Sequence, residues 1–495
     1  MRRQRPEALR DQALRQRRFL LACLFCTGAC ALILEILGTR LISPYYGSSL
    51  YCWSALITVT LAALAWGYQW GGALADRTPV LTLAARLLAG AALTVAAVPA
   101  LRMPALQGTA PLGVELGALV SAAILVAPSL ILLSALGPLS VRLLSEELAC
   151  VGRSAGQTYA VSTLGSVLGA ALAGFVLVPH LSLSHILYGL SILLLLLSAW
   201  AHQVCQRRLP LAQPAAAAAL ALFGFWPRAP EQTNLRLIRE SAYGQIKVLD
   251  FDGKRYLLIN GTSQSTAWLP SLRSDAQYQK TMELAVAARP RARSALVIGL
   301  GAGLLSRDLS RMGLAVDSVE LDPAVVDVAR RWFAFSPSGT LAVEDGRRYL
   351  ETCRRRYDLI FLDAFNSEAP PFQLFTRESF ELMRRHLNPG GLLSINLLSG
   401  IHGRDGEAWR SAERTLASVF PEVSACLASE TLEDLGNVVF FAADGRLPKP
   451  KRPLEADGDA LLLSDDYAPL ESLLARASVR WRLLLQKKVS QVLLY

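Results

Sequence analysis

The first 201 residues contain six long apolar runs, and no other feature of the sequence constrains the fold as strongly. The runs cover 19–39, 51–72, 82–101, 113–137, 157–178 and 183–201. A helix needs roughly 20 apolar residues to cross the hydrocarbon core of a bilayer. The sequence therefore predicts a basic segment at 1–18 and a multi-pass α-helical membrane domain over 19–228. A weaker, alanine-rich run at 210–226 leaves the number of spans at six or seven.

The placement of arginine predicts the orientation of this membrane domain. Residues 1–230 hold sixteen Arg, no Lys and seven acidic residues, and seven of these arginines lie in the first 18 residues. Five more lie in alternate loops on the same side, namely Arg77, Arg142, Arg153, Arg207 and Arg208. Loops rich in positive charge remain cytoplasmic. We therefore expect an inner- or plasma-membrane protein with a cytoplasmic C-terminal half, which follows from six spans but not from seven.

The same distribution of charge predicts the lipid bilayer as a partner and no nucleic acid. Nucleic-acid binding requires basic residues clustered with aromatic ones on a folded surface, whereas these arginines flank apolar runs. The Cys-x-x-Cys at 23–26 has no second pair and no histidine cluster, so the sequence predicts no metal site.

Two ionisable residues accompany the first apolar run: Glu35 lies deep within it and Arg40 stands at its end. Such groups in a bilayer usually pair with another group or line a cavity. A structural role in pairing and a role in binding a ligand or a proton both remain open. Small residues that include Gly165, Gly169 and Gly174 recur at short spacing in the fifth run, which predicts close packing between helices.

Near residue 235 the pattern changes to alternating segments. "GQIKVLDF" and "KRYLLING" flank Asp252-Gly253, a hairpin turn signal, and predict a small β-domain over 235–290. After 293, strands alternate with helices, which predicts a parallel sheet and an α/β Rossmann-like domain over 291–445. A C-terminal tail, 446–495, is expected to be helical from 468.

Glycines and acids follow successive predicted strands of this domain. They are Gly299, Gly301 and Gly303 after the first strand, Glu320 after the second, Asp345 and Gly346 after the third, and Asp363 after the fourth. Open α/β sheets bind ligands at this carboxyl edge, where glycines admit a phosphate or nucleoside closely and an acid accepts ribose hydroxyls. The pattern predicts a nucleoside site. At the end of the fourth strand, Asp363 either accepts a proton from an amine or caps the following segment.

The motifs over 235–445 resemble those of the polyamine aminopropyltransferases, the spermidine synthase family. The matching segments are "SAYGQIKV", "INGTSQST", "AQYQKTM", "VIGLGAGLLSRDL", "VELDP", "EDGRRYL" and "YDLIFLDAFNSEAPPFQLF". The resemblance implies a methyltransferase-like Rossmann fold and no metal. It implies Asp363 as proton acceptor, Glu320 on ribose and Asp345-Gly346 on adenine.

Other roles that the resemblance implies concern the two substrates. The adenosyl co-substrate would also contact Gln264 and Gln279. The amine or polyamine would be bound by Tyr278, Asn366 and Gln245. The N-terminal half and the late "SDDYAPLE" resemble multi-pass proteins in which a transporter-like part is fused to a spermidine synthase-like domain. Soluble members assemble from identical subunits, so a homodimer is implied.

Departures from the family pattern leave the donor open. Ala302 stands where the family has the acid that holds the aminopropyl amine, and Asn366 replaces a second acid of the catalytic loop. The donor is therefore decarboxylated or intact S-adenosylmethionine. Asp465 and Asp466 would restore acidity if the tail folded over the site.

We expect a membrane-bound aminopropyltransferase that releases 5'-methylthioadenosine. One alternative is cleavage of S-adenosylmethionine without an acceptor. Another is a membrane transporter or sensor regulated by a nucleoside. The Rossmann core alone would also be compatible with methyl transfer.

Overall fold

The apolar runs of the N-terminal half form long helices, since backbone groups in an apolar environment must hydrogen-bond within their own segment. The helices are α1 (Glu7–Tyr46), α2 (Leu50–Arg77), α3 (Leu81–Thr109), α4 (Gly113–Leu125), α5 (Ala127–Ser134), α6 (Leu136–Leu144), α7 (Val151–Leu172), α8 (Val178–His180) and α9 (Leu183–Val204). A π-helical turn, Ala173–Leu177, joins α7 to α8. Within the described ranges, six helical segments are long and apolar enough to cross a membrane.

The structure is a computed structural model. It describes residues 7–46, 50–78, 80–145, 151–205, 215–216, 218–219, 234–365, 369–428 and 434–489. The chain divides into a helical unit that ends at Ala229 and a C-terminal unit that begins at Pro230. The weaker apolar run at 210–226 lies almost entirely outside the described residues.

The fourth predicted span differs from the observed one. The run at 113–137 is divided between α4, α5 and α6, with breaks at Val126 and Ala135. Pro128 stands in the first turn of α5, where proline starts a helix well but cannot donate a backbone hydrogen bond. The segment long enough to cross a membrane is Ala127–Leu144, and Glu115–Leu125 forms a shorter apolar helix before it.

Glycines bring α1 and α7 into close contact. A side chain at Gly165 would collide with the backbone of Phe25, and one at Gly169 would lie 2.6 Å from the Cα of Ala29. Small residues allow such approach in helix pairs. The predicted packing is therefore observed for these two glycines, whereas a side chain at Gly174 would meet no atom within 4 Å.

The two ionisable residues of the first span lie on α1. Arg102 of α3 donates hydrogen bonds to the backbone oxygens of Arg40 and Leu41, at 3.1 and 3.0 Å. The side chains of Glu35 and Arg40 are half-buried in the helical unit. Both roles considered for them remain hypotheses.

The C-terminal unit begins with a five-stranded antiparallel sheet in sequential order. Its strands are β1 (Leu235–Glu240), β2 (Gln245–Phe251), β3 (Lys254–Ile259), β4 (Thr262–Trp268) and β5 (Arg273–Ser274). Asp252 and Gly253 join β2 to β3 with positive φ angles of 48° and 69°. These angles suit a two-residue hairpin turn, so the predicted hairpin is confirmed.

An eight-stranded sheet follows, with helices between its strands. The strands are β6 (Ser294–Ile298), β7 (Ala315–Glu320), β8 (Leu341–Val343), β9 (Tyr357–Leu362), β10 (Leu387–Gly400), β11 (Glu422–Leu427), β12 (Leu435–Ala443) and β13 (Pro453–Leu454). The helices are α10 (Gln277–Met282), α11 (Leu284–Ala288), α12 (Leu304–Arg311), α13 (Pro323–Phe333), α14 (Gly346–Thr352), α15 (Arg377–Arg385), α16 (Glu407–Ala417) and α17 (Leu470–Val489).

The order of the strands is β13-β11-β12-β10-β9-β6-β7-β8, with β6 to β10 parallel and β12 antiparallel to β10. This is the predicted methyltransferase-like Rossmann arrangement. After β6 the chain forms β7 and β8 on one side of that strand. It then crosses to the other side of β6, where it forms β9 and β10. The carboxyl ends of β6 and β9 therefore meet at a topological switch point, where open α/β sheets bind ligands.

The C-terminal tail is part of this core. Leu463, Leu470 and Leu474 are fully buried in the same hydrophobic cluster as Leu296 and Ile298 of β6. The predicted tail helix is observed as α17.

Candidate active site

A cavity of about 450 Å³ opens at the switch point. Nine of the residues singled out in the sequence line it, namely Gln264, Tyr278, Gln279, Gly299, Gly301, Glu320, Asp345, Gly346 and Asp363. They come from β4, from α10 and from the ends of β6, β7, β8 and β9. The predicted residues therefore converge because parallel strands all end at one edge of the sheet.

The loop after β6 approaches the neighbouring strand end with its backbone. Gly299 has a φ of +92°, and a side chain there would collide with the carbonyl oxygen of Asp363. Only glycine tolerates both conditions. Ser265 of β4 accepts a hydrogen bond from the backbone N–H of Ala302 at 3.1 Å, which ties the small sheet to this loop.

Glu320 holds the same loop from the end of β7. Its carboxylate accepts hydrogen bonds from the backbone N–H groups of Leu300 and Asp322, both at 3.0 Å. Burial raises the pKa of Glu320, while the backbone donors act in the opposite direction. The carboxylate is thus fixed in orientation where it lines the cavity.

Asp345 has a structural role as well as a place in the cavity wall. Its Oδ1 accepts from the backbone N–H groups of Arg347 and Arg348 at 2.9 and 3.1 Å, so it caps α14. At Gly346 a side chain would lie 2.6 Å from Cγ2 of Ile298, which explains the glycine.

Asp363 follows β9 and forms the polar centre of the cavity. Tyr278 donates its hydroxyl to Oδ2 at 3.1 Å, and the Asn396 amide donates to Oδ1 at 2.9 Å. Burial raises the pKa of Asp363 to about 6, although both hydrogen bonds lower it. A carboxyl group poised near neutral pH can accept a proton efficiently.

Tyr278 is oriented by its own neighbours. The Gln279 amide lies 3.5 Å from the Tyr278 hydroxyl, and the Ser274 hydroxyl donates to the Gln279 oxygen. Burial and the nearby Asp363 carboxylate raise the pKa of Tyr278 well above its usual value. Tyr278 therefore acts as a neutral hydrogen-bond donor.

The described lining residues of the cavity include six acids and no Lys, Arg or His. The acids are Glu320, Asp322, Glu344, Asp345, Asp363 and Glu471. A concave site lined by one sign of charge concentrates ligands of the opposite charge. The cavity is thus suited to a cationic ligand.

Two of the predicted residues do not line the cavity, and the structure leaves a third untested. Gly303 does not line the cavity. Its φ is +74°, and a side chain there would collide with the ring of Phe335, so this glycine serves packing. Gln245 donates its amide to Glu240 at 2.6 Å and lies outside the cavity lining. Asn366 lies outside the described residues.

The two tail acids are also placed elsewhere. Asp465 pairs with Arg347 at 2.9 Å and accepts from Thr376 at 2.6 Å, so its charge anchors the tail. Asp466 is exposed and does not line the cavity. Neither restores acidity to the site, although the tail does reach it.

Sequence reasoning missed Glu471 and Asn396. Glu471 is the last residue of "SDDYAPLE", and it lines the cavity in place of the two aspartates of that motif. Asn396 is 1% exposed inside an apolar segment of β10. A buried amide in a central strand must find a partner, and this signal was available in the sequence.

Comparison with known proteins agrees with this arrangement. The profile described as "Spermine/spermidine synthase domain" matches residues 276–441. The polyamine aminopropyltransferase of Thermoplasma acidophilum is 31% identical over 227 residues, which cover 44% of this chain and 80% of that protein. The probable polyamine aminopropyl transferase of Bifidobacterium longum is 31% identical over 203 residues, 40% of this chain and 44% of that protein.

Several matched proteins are longer than the shared region, and the chain spans about half the length of the first curated relatives it matches. Among solved structures, a probable spermidine synthase from Corynebacterium glutamicum is 22% identical with a TM-score of 0.38. That match covers 45% of this chain and 82% of the other. Through the shared C-terminal region, the chain belongs to the polyamine aminopropyltransferase family.

Proposed function

We propose that the C-terminal unit transfers an aminopropyl group from decarboxylated S-adenosylmethionine to an amine and releases 5'-methylthioadenosine. The observation that carries this proposal is the position of Asp363, hydrogen-bonded to Tyr278 and Asn396 in a cavity lined by six acids. Both the sulfonium donor and an amine acceptor are cationic. Intact S-adenosylmethionine carries a carboxylate as well, for which the described lining residues offer no basic partner.

The residues divide between the two ends of the ligand. The Gly299–Gly301 loop and Glu320 take the ribose, and Asp345 with Gly346 takes the adenine. Asp363 faces the reacting carbon with Tyr278 and Gln279 beside it, and Gln264 contributes from the small sheet. In this assignment the adenine lies at the end of β8, the ribose at the ends of β7 and β6, and the reacting carbon at the end of β9, in the order of the strands along the sheet.

The reaction needs little covalent assistance from the protein. The lone pair of the amine attacks the aminopropyl methylene carbon next to sulfur, and a C–N bond forms as the C–S bond breaks. The bonding electrons stay on sulfur, which leaves as a neutral thioether, and the surplus proton of the amine passes to Asp363. Orientation and exclusion of water supply most of the rate enhancement.

The test uses the purified full chain in detergent. We incubate it with decarboxylated or intact S-adenosylmethionine, with and without 1,4-diaminobutane, and identify the products by mass spectrometry. Equal amounts of methylthioadenosine and aminopropylated diamine are expected only from the decarboxylated donor with the diamine. Asp363→Asn should lower kcat about 10²-fold or more, while calorimetry finds methylthioadenosine binding retained.

One observation favours a second candidate, cleavage of S-adenosylmethionine without an acceptor. Ala302 is fully buried and places no acid where the family pattern has one for the donor's amine. Methylthioadenosine formed from the intact donor with no amine present would establish this alternative. S-adenosylhomocysteine as product would instead indicate methyl transfer, and both results would contradict aminopropyl transfer.

We further propose that the chain lies in the inner or plasma membrane with its C-terminal unit in the cytoplasm. Arg77 ends α2, Arg142 lies in the last turn of α6 and Arg153 lies in the first turn of α7. This placement agrees with the cytoplasmic preference of arginine-bearing loops. Both adenosyl donors are made in the cytoplasm, which favours the same side.

A further inference from the structure

The tail helix α17 brings an acid into the cavity. Glu471 is its second residue and lines the cavity with Asp363 and Phe365. The side chain is half-buried. Nothing in the proposed reaction uses this carboxylate.

The segment before α17 is held firmly on the core. Backbone N–H groups of Leu461 and Leu463 donate to the hydroxyls of Ser411 and Thr415 of α16, at 2.9 and 3.0 Å. The backbone N–H of Arg377 donates to the Leu463 carbonyl at 2.9 Å. The start of α17 therefore has a defined position.

Two leucines then fix the rotation of the helix. Leu470 and Leu474 are fully buried in the core of the large sheet. Residues four apart share a helix face, whereas the next residue points about 100° away. This rotation keeps Glu471 out of the core and directs it to the cavity.

The contacts of α17 indicate from which side Glu471 reaches the cavity. The nucleoside residues follow β8, β7 and β6, and Asp363 follows β9. Helix α17 packs against β10, the next strand beyond β9, and also contacts β4. Ala477 of α17 shares a hydrophobic cluster with Leu398 of β10 and with Phe365, two residues after Asp363. The helix therefore reaches the cavity on the side of Asp363, the proton acceptor of the proposed reaction.

We propose that Glu471 determines acceptor specificity by pairing with the ammonium group of the acceptor that is distal to the attacking nitrogen. This inference rests on the proposed aminopropyl transfer. The class of acceptor is an α,ω-diamine or longer polyamine, since a monoamine has no second cation for this carboxylate. The C-terminal tail thus completes the site.

The experiment compares 1,4-diaminobutane with 1-aminobutane, which lacks the distal ammonium. Glu471→Gln should raise the KM of the diamine about tenfold or more, because it removes a charge-assisted hydrogen bond. The KM values of the monoamine and of the donor should stay within about twofold. Glu471→Asp should recover part of the loss. Asp457→Asn, which changes an exposed tail acid outside the cavity lining, is the matched control and should match the unmodified chain.

Three results would overturn the inference: an unchanged diamine KM in Glu471→Gln, an equal rise for both amines, or a rise in the KM of the donor. If the unmodified chain transfers no aminopropyl group, the proposed function fails. The role of Glu471 is then decided separately by a binding measurement. Calorimetry then follows 1,4-diaminobutane binding in the presence of methylthioadenosine. Binding about tenfold weaker in Glu471→Gln supports the inference, and equal binding contradicts it.

Discussion

At the scale of single residues, burial and two hydrogen bonds together set the protonation of Asp363. Burial raises its pKa to about 6, and the donors Asn396 and Tyr278 limit this rise. The carboxyl group accepts a proton only when it is ionised. We therefore expect kcat/KM to fall as the pH drops below about 6.

Asn396 should act as a positioning residue for this carboxylate. Asn396→Ala removes a donor that favours the ionised form, so the pKa of Asp363 should rise further. The acidic limb of the pH profile of kcat/KM should then shift upward by roughly half a unit to one unit. A profile measured between pH 4.5 and 9 checks this.

The same strand offers a matched control. Asn388, near the start of β10, donates to Asp358 at 2.8 Å, at the opposite end of β9. Asn388→Ala should leave the midpoint of the acidic limb in place. If the acidic limb had the same midpoint in both variants, Asn396 would not be a positioning residue for Asp363.

At the scale of elements, the glycines on either side of α12 differ in what surrounds them. Gly303 and Gly313 both have positive φ angles, 74° and 91°. A side chain at Gly303 would collide with Phe335, whereas one at Gly313 would meet no atom within 4 Å.

Gly303→Ala should therefore destabilise the C-terminal unit more than Gly313→Ala. The strained backbone alone costs on the order of 1 kcal/mol, and the collision adds to it at Gly303 only. Thermal unfolding of the two variants measures the difference. Equal losses of stability in the two variants would show that the Phe335 ring moves aside with no loss of folding free energy.

Most elements of the C-terminal unit could be predicted because their signals are local. Alternation and the Asp252-Gly253 turn predict the first hairpin, and the strand-helix alternation predicts the parallel sheet. The run at 113–137 is divided among three helices, because apolar composition does not show where prolines such as Pro128 divide a run. Gly303 was predicted to bind the co-substrate but does not line the cavity. The glycine pattern does not distinguish contact with a ligand from contact with Phe335.

The tail shows what local signals cannot supply. "SDDYAPLE" pointed to acidity near the site, but the choice among its acids depends on tertiary contacts. Arg347 and Thr376 take Asp465 as an anchor, and the burial of Leu470 turns Glu471 toward the cavity. These partners lie about 90 to 120 residues away in sequence, as the Asp465 contacts show.

At the scale of the whole molecule, the described residues hold six helices suited to crossing a membrane, and the unit with the Rossmann-like sheet follows them in the chain. An even number of spans returns the chain to the side from which it started. Protease added to sealed inside-out vesicles should therefore digest the C-terminal unit, with its peptides between 234 and 489 released and identified by mass spectrometry.

Right-side-out vesicles should protect the same peptides until detergent is added. The reverse pattern would contradict the cytoplasmic placement and would indicate either a seventh span or an N-terminus on the outer side. This measurement does not depend on knowing the substrates.

The uniform sign of charge around the cavity has a consequence for the conditions in which this chain works. Attraction between exposed charges is screened over about 8 Å at physiological ionic strength and reaches about 30 Å at 0.01 M. Capture of a multivalent organic cation should therefore weaken as salt is added. Divalent metal ions in the buffer would compete for the same carboxylates as counterions. Apparent affinities for the acceptor are thus comparable only at one fixed electrolyte composition.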